Sequence, residues 1–188
     1  VIGGDDDERV VVDVPTTQLR DEVLTLFVAG HETTANALTF VFYLLSKHPD
    51  ALRLLEDEVA SVLGGRAPTL ADLKQLRYTT MVIEEAMRLY PPAWVLEREA
   101  IAEDVVAGIR IPKDAVIGIS PFVLHRNADL YPNPEGFDPE RFAPEASAAR
   151  RKHDYLPFGG GPRFCIGNAF AMMELQLVVP MIVQRARL

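Results

Sequence analysis

The stretch "PFGGGPRFCIGNAFA" (residues 157–171) places the chain's one cysteine, Cys165, directly after a glycine-rich run. Such a run before a helix is typical of phosphate-binding loops. Here, however, no Lys-Ser/Thr pair follows, and the glycine spacing differs from the dinucleotide fingerprint. A helix that begins near Cys165 would place free N–H groups and its dipole beside the sulfur, which favours a thiolate. Phe158 and Phe164 can shield this sulfur, and the glycines let the backbone approach a flat, bulky group.

A thiolate in an apolar pocket has two common uses, as a nucleophile or as a metal ligand. A nucleophile needs a nearby base, and the histidines available are His31, His48, His125 and His153. A zinc site would need several further ligands, and there is no second cysteine. Heme iron needs only one axial thiolate, because the porphyrin supplies the four equatorial ligands. A buried, inert cysteine is the remaining interpretation, but it does not explain Gly-Gly-Gly-Pro-Arg.

The composition describes one globular domain that does not bind nucleic acid. The chain has 188 residues, 48% of them hydrophobic, and a net charge of -8, which argues against a nucleic-acid partner. One cysteine cannot form an internal disulfide, and no secretory signal is visible, so we expect a soluble protein of the cytoplasm. The chain lacks an initiator Met and a C-terminal capping signal, so we expect a fragment. A membrane anchor in the missing N-terminal part stays open.

The hydrophobic periodicity predicts a mainly α fold with a small β-sheet. Helices are predicted over residues 17–47, 50–63, 69–76 and 78–90, with a last helix from about Cys165 to the end. Thr16 or Thr17 is expected to cap the first of these, and Thr69 the third. Alternating β-branched residues within 94–120 predict two or three short strands.

The segment "LTLFVAGHETTANALTFVFYLL" (residues 24–45) is apolar on nearly every face, so it is either a buried central helix or a membrane span. The membrane alternative is disfavoured, because a carboxylate such as Glu32 costs about 2.5–3.5 kcal/mol at mid-bilayer. Gly30 leaves a notch one turn before Thr33, as in the wall of a pocket. In the alternative interpretation, the Thr33 hydroxyl bonds to the carbonyl of Ala29 and merely bends the helix.

An acid and two arginines are placed for a buried ion network. In "VIEEAMRLYPP" (residues 82–92), Glu85 and Arg88 share one helical face with apolar neighbours, which indicates burial. A buried carboxylate needs fork-shaped partners, and Arg141 in "FDPERF" (residues 137–142) is a second candidate. We expect a structural role for these residues.

Together these segments resemble the cytochrome P450 superfamily of heme-thiolate monooxygenases. The matching motifs occur in the family's order: "AGHETT" (29–34), "EEAMR" (84–88), "PERF" (139–142) and "FGGGPRFCIG" (158–167). The last fits the pattern Phe-x-x-Gly-x-Arg-x-Cys-x-Gly at every fixed position. The resemblance implies that residues 1–188 form a partial heme-thiolate monooxygenase domain. This would be the C-terminal half, from the long central helix through the cysteine-loop helix, without the N-terminal half and the terminal hairpin.

The resemblance also implies the cofactor and the site. Heme b (iron protoporphyrin IX) would take Cys165 as its axial metal ligand. The residues implied in cofactor binding are Ala29, Gly30, Arg98, Phe158, Arg163, Cys165 and Gly167, with Arg98 and Arg163 on the propionates. Those of the structural network are Glu85, Arg88 and Arg141. Glu32 and Thr33 would act catalytically in proton delivery, and the substrate pocket would include Ala29, Thr33, Val95 and Leu96.

The implied reaction inserts one oxygen atom of O2 into a small apolar organic substrate, with a ferredoxin, flavodoxin or flavin reductase as electron donor. The alternatives are a peroxide-driven hydroxylase, an isomerase, or a catalytically silent fragment that cannot bind heme alone. A basic run over residues 150–153 (Arg150, Arg151, Lys152 and His153) is expected to dock the acidic donor; a solvated loop is the alternative. His125 has no role in this scheme and is interpreted as a core or turn residue.

Overall fold

A computed structural model of the chain describes residues 14–188. The α-helices of this part are α1 (Thr16–Lys47), α2 (Pro49–Leu63), α3 (Arg77–Leu89), α4 (Pro121–Leu124), α5 (Pro144–Ala149) and α6 (Asn168–Val183). The strands are β1 (Leu96–Glu99), β2 (Asp104–Val106), β3 (Ile109–Ile111) and β4 (Val116–Ile119), and two 3-10 helices span Pro139–Phe142 and Gly161–Arg163. The predicted mainly α fold is confirmed.

The core lies where the C-terminal half of α1 meets α2, α3 and α6. Its fully buried apolar side chains include Val41, Leu45, Leu55, Val59, Val82, Ile83, Leu175 and Val179. Burial of one such side chain contributes about 1.5–3 kcal/mol to folding. The apolar faces of α2 and α3 recur every three to four residues, and this periodicity is why the sequence predicted both helices correctly.

Helix α1 is buried over only part of its length. Every residue from 16 to 33 is exposed, whereas Thr34, Ala37, Val41, Leu44 and Leu45 are buried. The expectation of a fully buried central helix is therefore wrong for the first half, because the described parts of the chain pack only against the second half. No helix within residues 14–188 is long and apolar enough to cross a membrane.

Two predictions about the helices are wrong, one about the cap of α1 and one about the helix predicted over residues 69–76. Helix α1 follows Pro15, and neither Thr16 nor Thr17 caps it. Residues 70–75 form turns rather than a helix. The Asp72 carboxylate accepts hydrogen bonds from the backbone N–H and the hydroxyl of Thr69, both at 2.8 Å, and it pairs with Arg66 at 2.6 Å. These local side-chain bonds stabilise a turn in competition with helical bonding.

The four strands form two separate two-stranded antiparallel sheets, β1–β4 and β2–β3. In the first sheet Arg98 pairs with Ile117, and Leu96 pairs with Ile119. The second is a hairpin whose two turn residues, Ala107 and Gly108, have φ of 50° and 81°. Such positive φ values at both positions suit the right-handed twist of the strands.

Glu58 of α2 holds the beginning of α3. Its carboxylate accepts hydrogen bonds from the backbone N–H groups of Tyr78 at 2.6 Å and Thr79 at 2.8 Å, and from the Thr79 hydroxyl at 2.8 Å. The first N–H groups of a helix have no partner within the helix, so a carboxylate from a neighbouring helix satisfies them. This contact fixes the position of α3 relative to α2.

We expect Glu58→Gln to lower the free energy of unfolding by about 1–2 kcal/mol, because the amide loses one acceptor oxygen and the negative charge. The matched control is Glu56→Gln, at an exposed position of the same helix, with an expected change below about 0.5 kcal/mol. Chemical denaturation of both variants measures this difference. Equal effects of the two substitutions would contradict the role of Glu58.

Candidate functional site

Cys165 lies in a loop that is closed by hydrogen bonds between its own backbone groups. Its N–H donates to the carbonyl of Phe158 at 3.1 Å, and the N–H of Phe164 donates to the carbonyl of Gly161 at 3.1 Å. Helix α6 begins only at Asn168, so the prediction of a helix starting near Cys165 is displaced by three residues. The thiol is exposed and makes no disulfide. The loop therefore presents a free sulfur on a fixed backbone.

The glycines of this loop serve its backbone conformation. Gly159 and Gly161 have φ of 75° and 70°, in the left-handed region that residues other than glycine rarely adopt. Gly159 is also buried, and a Cβ there would lie 3.5 Å from the Leu96 side chain of β1. A Cβ at Gly167 would lie 3.8 Å from the Cys165 sulfur. The loop and β1 therefore meet at Leu96 and Gly159.

The apolar side chains near the thiol are largely open. Phe164, Ile166 and Phe170 are 49%, 92% and 66% exposed. Phe158 is half-buried and packs against the core. The prediction that Phe158 and Phe164 shield the sulfur is therefore wrong for the described residues, because Cys165 itself is exposed. These exposed side chains precede and follow Cys165 in the sequence, and they provide apolar surface near it.

Behind the loop, Glu85 and Arg88 form a fully buried pair with two parallel hydrogen bonds. Arg88 Nε donates to Glu85 Oε2 at 2.7 Å, and Arg88 Nη2 donates to Glu85 Oε1 at 2.8 Å. The guanidinium also donates to three backbone carbonyls, those of His125 at 2.8 Å, Pro134 at 2.7 Å and Gly136 at 2.9 Å. One side chain of α3 thus fixes two places in the long segment between β4 and the Cys165 loop.

Arg141 joins the same network more loosely. Its Nε lies 3.6 Å from Glu85 Oε1 and makes no hydrogen bond to any residue of the described range 14–188, while its Nη2 donates to the carbonyl of Asn133 at 3.0 Å. The backbone N–H of Asp138 donates to Glu85 Oε1 at 2.9 Å. Burial raises the pKa of the Glu85 carboxyl, and Arg88 and Arg141 oppose that rise. The structure brings Glu85, Arg88 and Arg141 together.

The α1 residues of the predicted site all lie on its exposed half. Ala29, Gly30, Glu32 and Thr33 are exposed, and the position of a Gly30 side chain is open space. The Thr33 hydroxyl donates to the carbonyl of Ala29 at 2.7 Å, which is the back-bonding that the sequence left as an alternative. No hydrogen bond within residues 14–188 connects these residues to the Cys165 loop. Hydrogen bonding within the described chain therefore does not link this helix segment to the thiol.

The remaining predicted site residues lie at or beside the loop. Arg163 is exposed on the 3-10 helix that precedes Cys165. Arg98 is exposed on β1, and its Nη1 donates to the carbonyl of Glu97 at 2.7 Å. Leu96, the first residue of that strand, and Val95, which directly precedes it, are half-buried. Because β1 contacts Gly159 through Leu96, it connects Arg98 to the Cys165 loop.

The sequence did not identify the backbone carbonyls that accept hydrogen bonds from Arg88, and it gave His125 no role in the site, although the interpretation of His125 as a core or turn residue is confirmed. The carbonyls of Pro134 and Gly136 leave no signature in the residue types, since every residue has one. His125 offered a weak signal, because both ring nitrogens of a buried histidine need hydrogen-bond partners. In the structure it is fully buried and contacts both Arg88 and Leu156.

The donor set fits heme better than a metal held by several side chains. Within residues 14–188, no three His, Cys, Asp or Glu side chains are close enough to hold a metal ion. A porphyrin supplies four of its own iron ligands, so one protein thiol is sufficient. Cys165 offers that thiol beside the apolar side chains of Phe164 and Ile166.

Comparison with known proteins identifies the family. The family model for Cytochrome P450 matches residues 5–188. The chain is 46% identical to Cyclooctatin synthase of Streptomyces melanosporofaciens over 91% of the chain and 37% of that relative. It is 43% identical to Protein LUTEIN DEFICIENT 5, chloroplastic, of Arabidopsis thaliana over 92% of the chain and 30% of that relative. Cyclooctat-9-en-7-ol 5-monooxygenase, also of Streptomyces melanosporofaciens, is 43% identical over 91% of the chain and 37% of its own length.

The chain thus spans about a third of the length of the curated relatives that it matches. The match covers all of the described fold and all four sequence motifs. The chain therefore belongs to the cytochrome P450 family, its fold is part of the P450 fold, and its cofactor is heme.

Proposed function

We propose that the protein is a heme-dependent monooxygenase that inserts one oxygen atom of O2 into a small apolar organic substrate. The observation that carries this proposal is the lone, exposed Cys165 on a loop whose backbone is fixed by its own hydrogen bonds. The family match supports it, as does the printed name of one relative, Cyclooctat-9-en-7-ol 5-monooxygenase. The substrate of this chain stays open.

In this proposal Cys165 would hold heme b by binding its iron through the thiolate sulfur. When bound, heme supplies the redox-active iron at which dioxygen is reduced. Arg98 and Arg163 would hold the two propionates by charge-assisted hydrogen bonds. The contact between Leu96 and Gly159 supports this pairing, because it joins the strand that carries Arg98 to the loop that carries Arg163.

The loop needs a rigid support, since a shift of the sulfur would weaken its bond to iron. Phe158 anchors one end of the loop in the core, and its carbonyl receives the Cys165 N–H. The Cys165 sulfur lies close to Gly167, the residue that directly precedes α6. The pair of Glu85 and Arg88 stabilises the preceding segment through backbone carbonyls. We propose that these contacts position Cys165 before the cofactor binds.

On α1, we propose that Glu32 and Thr33 deliver protons for the reduction of dioxygen, and that Ala29 and Gly30 lie against the heme. Glu32 is exposed, so its carboxyl group can form hydrogen bonds with water. The Thr33 hydroxyl donates to the Ala29 carbonyl and keeps its lone pairs, so Oγ1 can accept a hydrogen bond from a water molecule. Ala29, Thr33, Val95 and Leu96 would line the substrate pocket.

The electron donor that we propose is an acidic ferredoxin, a flavodoxin or a flavin reductase. The structure changes which residues of the basic run (150–153) we expect to dock this donor. The Arg150 guanidinium lies 4.2 Å from the Phe142 ring centre and donates to the carbonyl of Arg141, so it is engaged in packing. Lys152 is exposed, and Arg151 is exposed although it pairs with Asp154 at 3.0 Å. We therefore propose that the charges of Arg151 and Lys152 dock the electron donor. The cytoplasmic location of the protein stays a prediction.

A second candidate is a catalytically silent chain that cannot retain heme by itself. The observation in its favour is the exposure of α1 from residue 16 to residue 33, which includes Ala29, Gly30 and Thr33. An apolar helix face that is open to water does not enclose a cofactor. Heme binding by the 188-residue chain alone separates the two candidates, because the silent chain would bind none.

The first test is the ferrous–CO spectrum of the heme-loaded protein. We expect a band diagnostic of thiolate ligation in the unaltered protein and in the control His153→Ala, an exposed imidazole near the loop. Cys165→Ala should lose this band together with oxygenation activity, because it removes the chain's one thiol. A thiolate-type spectrum that survives in Cys165→Ala would refute the proposal.

The second test concerns proton delivery. Thr33→Val removes the hydroxyl at nearly constant volume, and Thr25→Val is its matched control, since the Thr25 hydroxyl donates to the Asp21 carbonyl at 2.7 Å on the same helix. We expect product formed per electron consumed to fall about 100-fold in Thr33→Val and to stay unchanged in the control. Turnover driven by added peroxide should be retained. Equal product yields in the two variants would contradict the role of Thr33.

A further inference from the structure

His125 connects the buried ion pair to the segment that leads into the Cys165 loop. It directly follows α4 and is fully buried. Its Nδ1 lies 3.3 Å from the carbonyl oxygen of Arg88, and its Nε2 lies 2.9 Å from the backbone nitrogen of Leu156. Its own carbonyl accepts a hydrogen bond from Arg88 Nη1 at 2.8 Å. His125 and Arg88 are therefore joined by two contacts. The His125 ring contacts the Arg88 carbonyl, and the Arg88 side chain donates to the His125 carbonyl.

The contacts of the two ring nitrogens define the protonation state of the ring. A backbone N–H can only donate, so Nε2 must offer its lone pair to Leu156. A carbonyl can only accept, so Nδ1 must carry the hydrogen that is donated to Arg88. Only the neutral Nδ1–H tautomer satisfies both contacts. A proton added at Nε2 would face the Leu156 N–H and would remove that hydrogen bond.

The contacts of His125 lead, through Leu156, to the backbone close to Cys165. Leu156 lies two residues before Phe158, and the Phe158 carbonyl receives the N–H of Cys165 at 3.1 Å. The Leu156 carbonyl also accepts the N–H of Gly159 at 3.2 Å. A continuous series of contacts thus runs from Arg88 through His125 and Leu156 to the backbone of the loop that carries Cys165.

We infer that His125 is a positioning residue for the Cys165 ligand, and that its neutral ring couples the pair of Glu85 and Arg88 to the Cys165 loop. The inference rests on the proposed function, since it assigns a role towards heme ligation. His125 does not touch the sulfur and takes no part in the chemistry. Its effect is to hold the backbone of Leu156, and through it the entry to the loop, in one position.

The charges around the ring favour this neutral form. Burial, together with the cations of Arg88, Arg126 and Arg150, lowers the pKa of His125 to about 4, although its hydrogen bond to the Arg88 carbonyl opposes this shift. The phenol rings of Tyr131 and Tyr155 pack at centroid distances of 6.4 and 5.2 Å. The acids on the neighbouring helix α3 are Glu84, whose pKa burial raises to about 7, and Glu85, which is paired with Arg88.

The sign of the resulting pH dependence follows from the lowered pKa. Between pH 4 and the ordinary histidine value of 6.5, the unfolded chain binds a proton that the folded chain does not. The contribution of neutral His125 is therefore complete above pH 6.5 and is lost as the pH falls towards 4. Glu84 titrates in every variant of His125, so a difference between variants reports the histidine.

The test compares His125→Gln, His125→Phe and the control His48→Gln in the heme-loaded protein. Glutamine can keep one donor and one acceptor without titrating, whereas phenylalanine keeps the ring volume and loses both hydrogen bonds. His48 is a half-buried ring that packs on Phe137 at 5.0 Å. The readouts are amide hydrogen exchange at Leu156 at pH 7 and the thiolate fraction of the ferrous–CO spectrum from pH 7 to pH 4.

We expect Leu156 to exchange at least about fivefold faster in His125→Phe, with a smaller thiolate fraction, because its N–H loses its acceptor. His125→Gln should exchange within about twofold of the unaltered protein and should keep its thiolate fraction to lower pH, since the amide does not titrate. The control should match the unaltered protein in both readouts.

Unchanged exchange and thiolate fraction in His125→Phe would overturn the inference. If that variant does not fold, an acid profile of His125→Gln identical to that of the unaltered protein would overturn it as well. A failure of the proposed function is distinguishable from either result. In that case the unaltered protein itself would lack the thiolate band, while exchange at Leu156 would still report the hydrogen bond of His125.

Discussion

A carboxylate and a guanidinium with no exposed surface, Glu85 and Arg88, are the constraint on which the site depends. Removing two charges from water costs several kcal/mol for each ion, and the attraction between them alone does not reliably offset this. Here the guanidinium also donates to three carbonyls, and the carboxylate also accepts the N–H of Asp138. Because every charged group has partners, the pair is stable only when the segment from His125 to Asp138 is folded against α3.

This constraint explains how a loop with little secondary structure can hold Cys165, the proposed heme ligand, in one position. The segment between β4 and α6 contains only short helices, so few of its backbone positions are fixed by regular hydrogen bonding. Arg88 fixes its beginning, His125 fixes Leu156, and Phe158 anchors the end in the core. The face that remains open carries Cys165 and exposed apolar side chains, as expected for a surface that a flat, apolar cofactor covers.

Strong periodicity and fixed motifs were sufficient to predict most of the helices and the pairing of Glu85 with Arg88. The sequence was misleading where one local hydrogen bond decides the structure. Asp72 stabilises a turn in place of the third predicted helix, and α6 begins three residues after Cys165. The sequence also could not indicate that α1 is exposed up to Thr33, because apolar residues predict burial without identifying the partner. Backbone carbonyls that accept from Arg88 have no residue-type signature.

The most direct measurement of the central claim compares Arg88→Lys with Arg53→Lys, an exposed arginine that lies 3.7 Å from Asp57. Lysine keeps the charge but loses the planar fork that binds Glu85 and the carbonyls together. We expect Arg88→Lys to lower the free energy of unfolding by about 3 kcal/mol and to reduce the thiolate fraction of the ferrous–CO spectrum. Arg53→Lys should change the free energy of unfolding by less than about 0.5 kcal/mol. If both variants behave alike, the ion pair does not support the Cys165 loop.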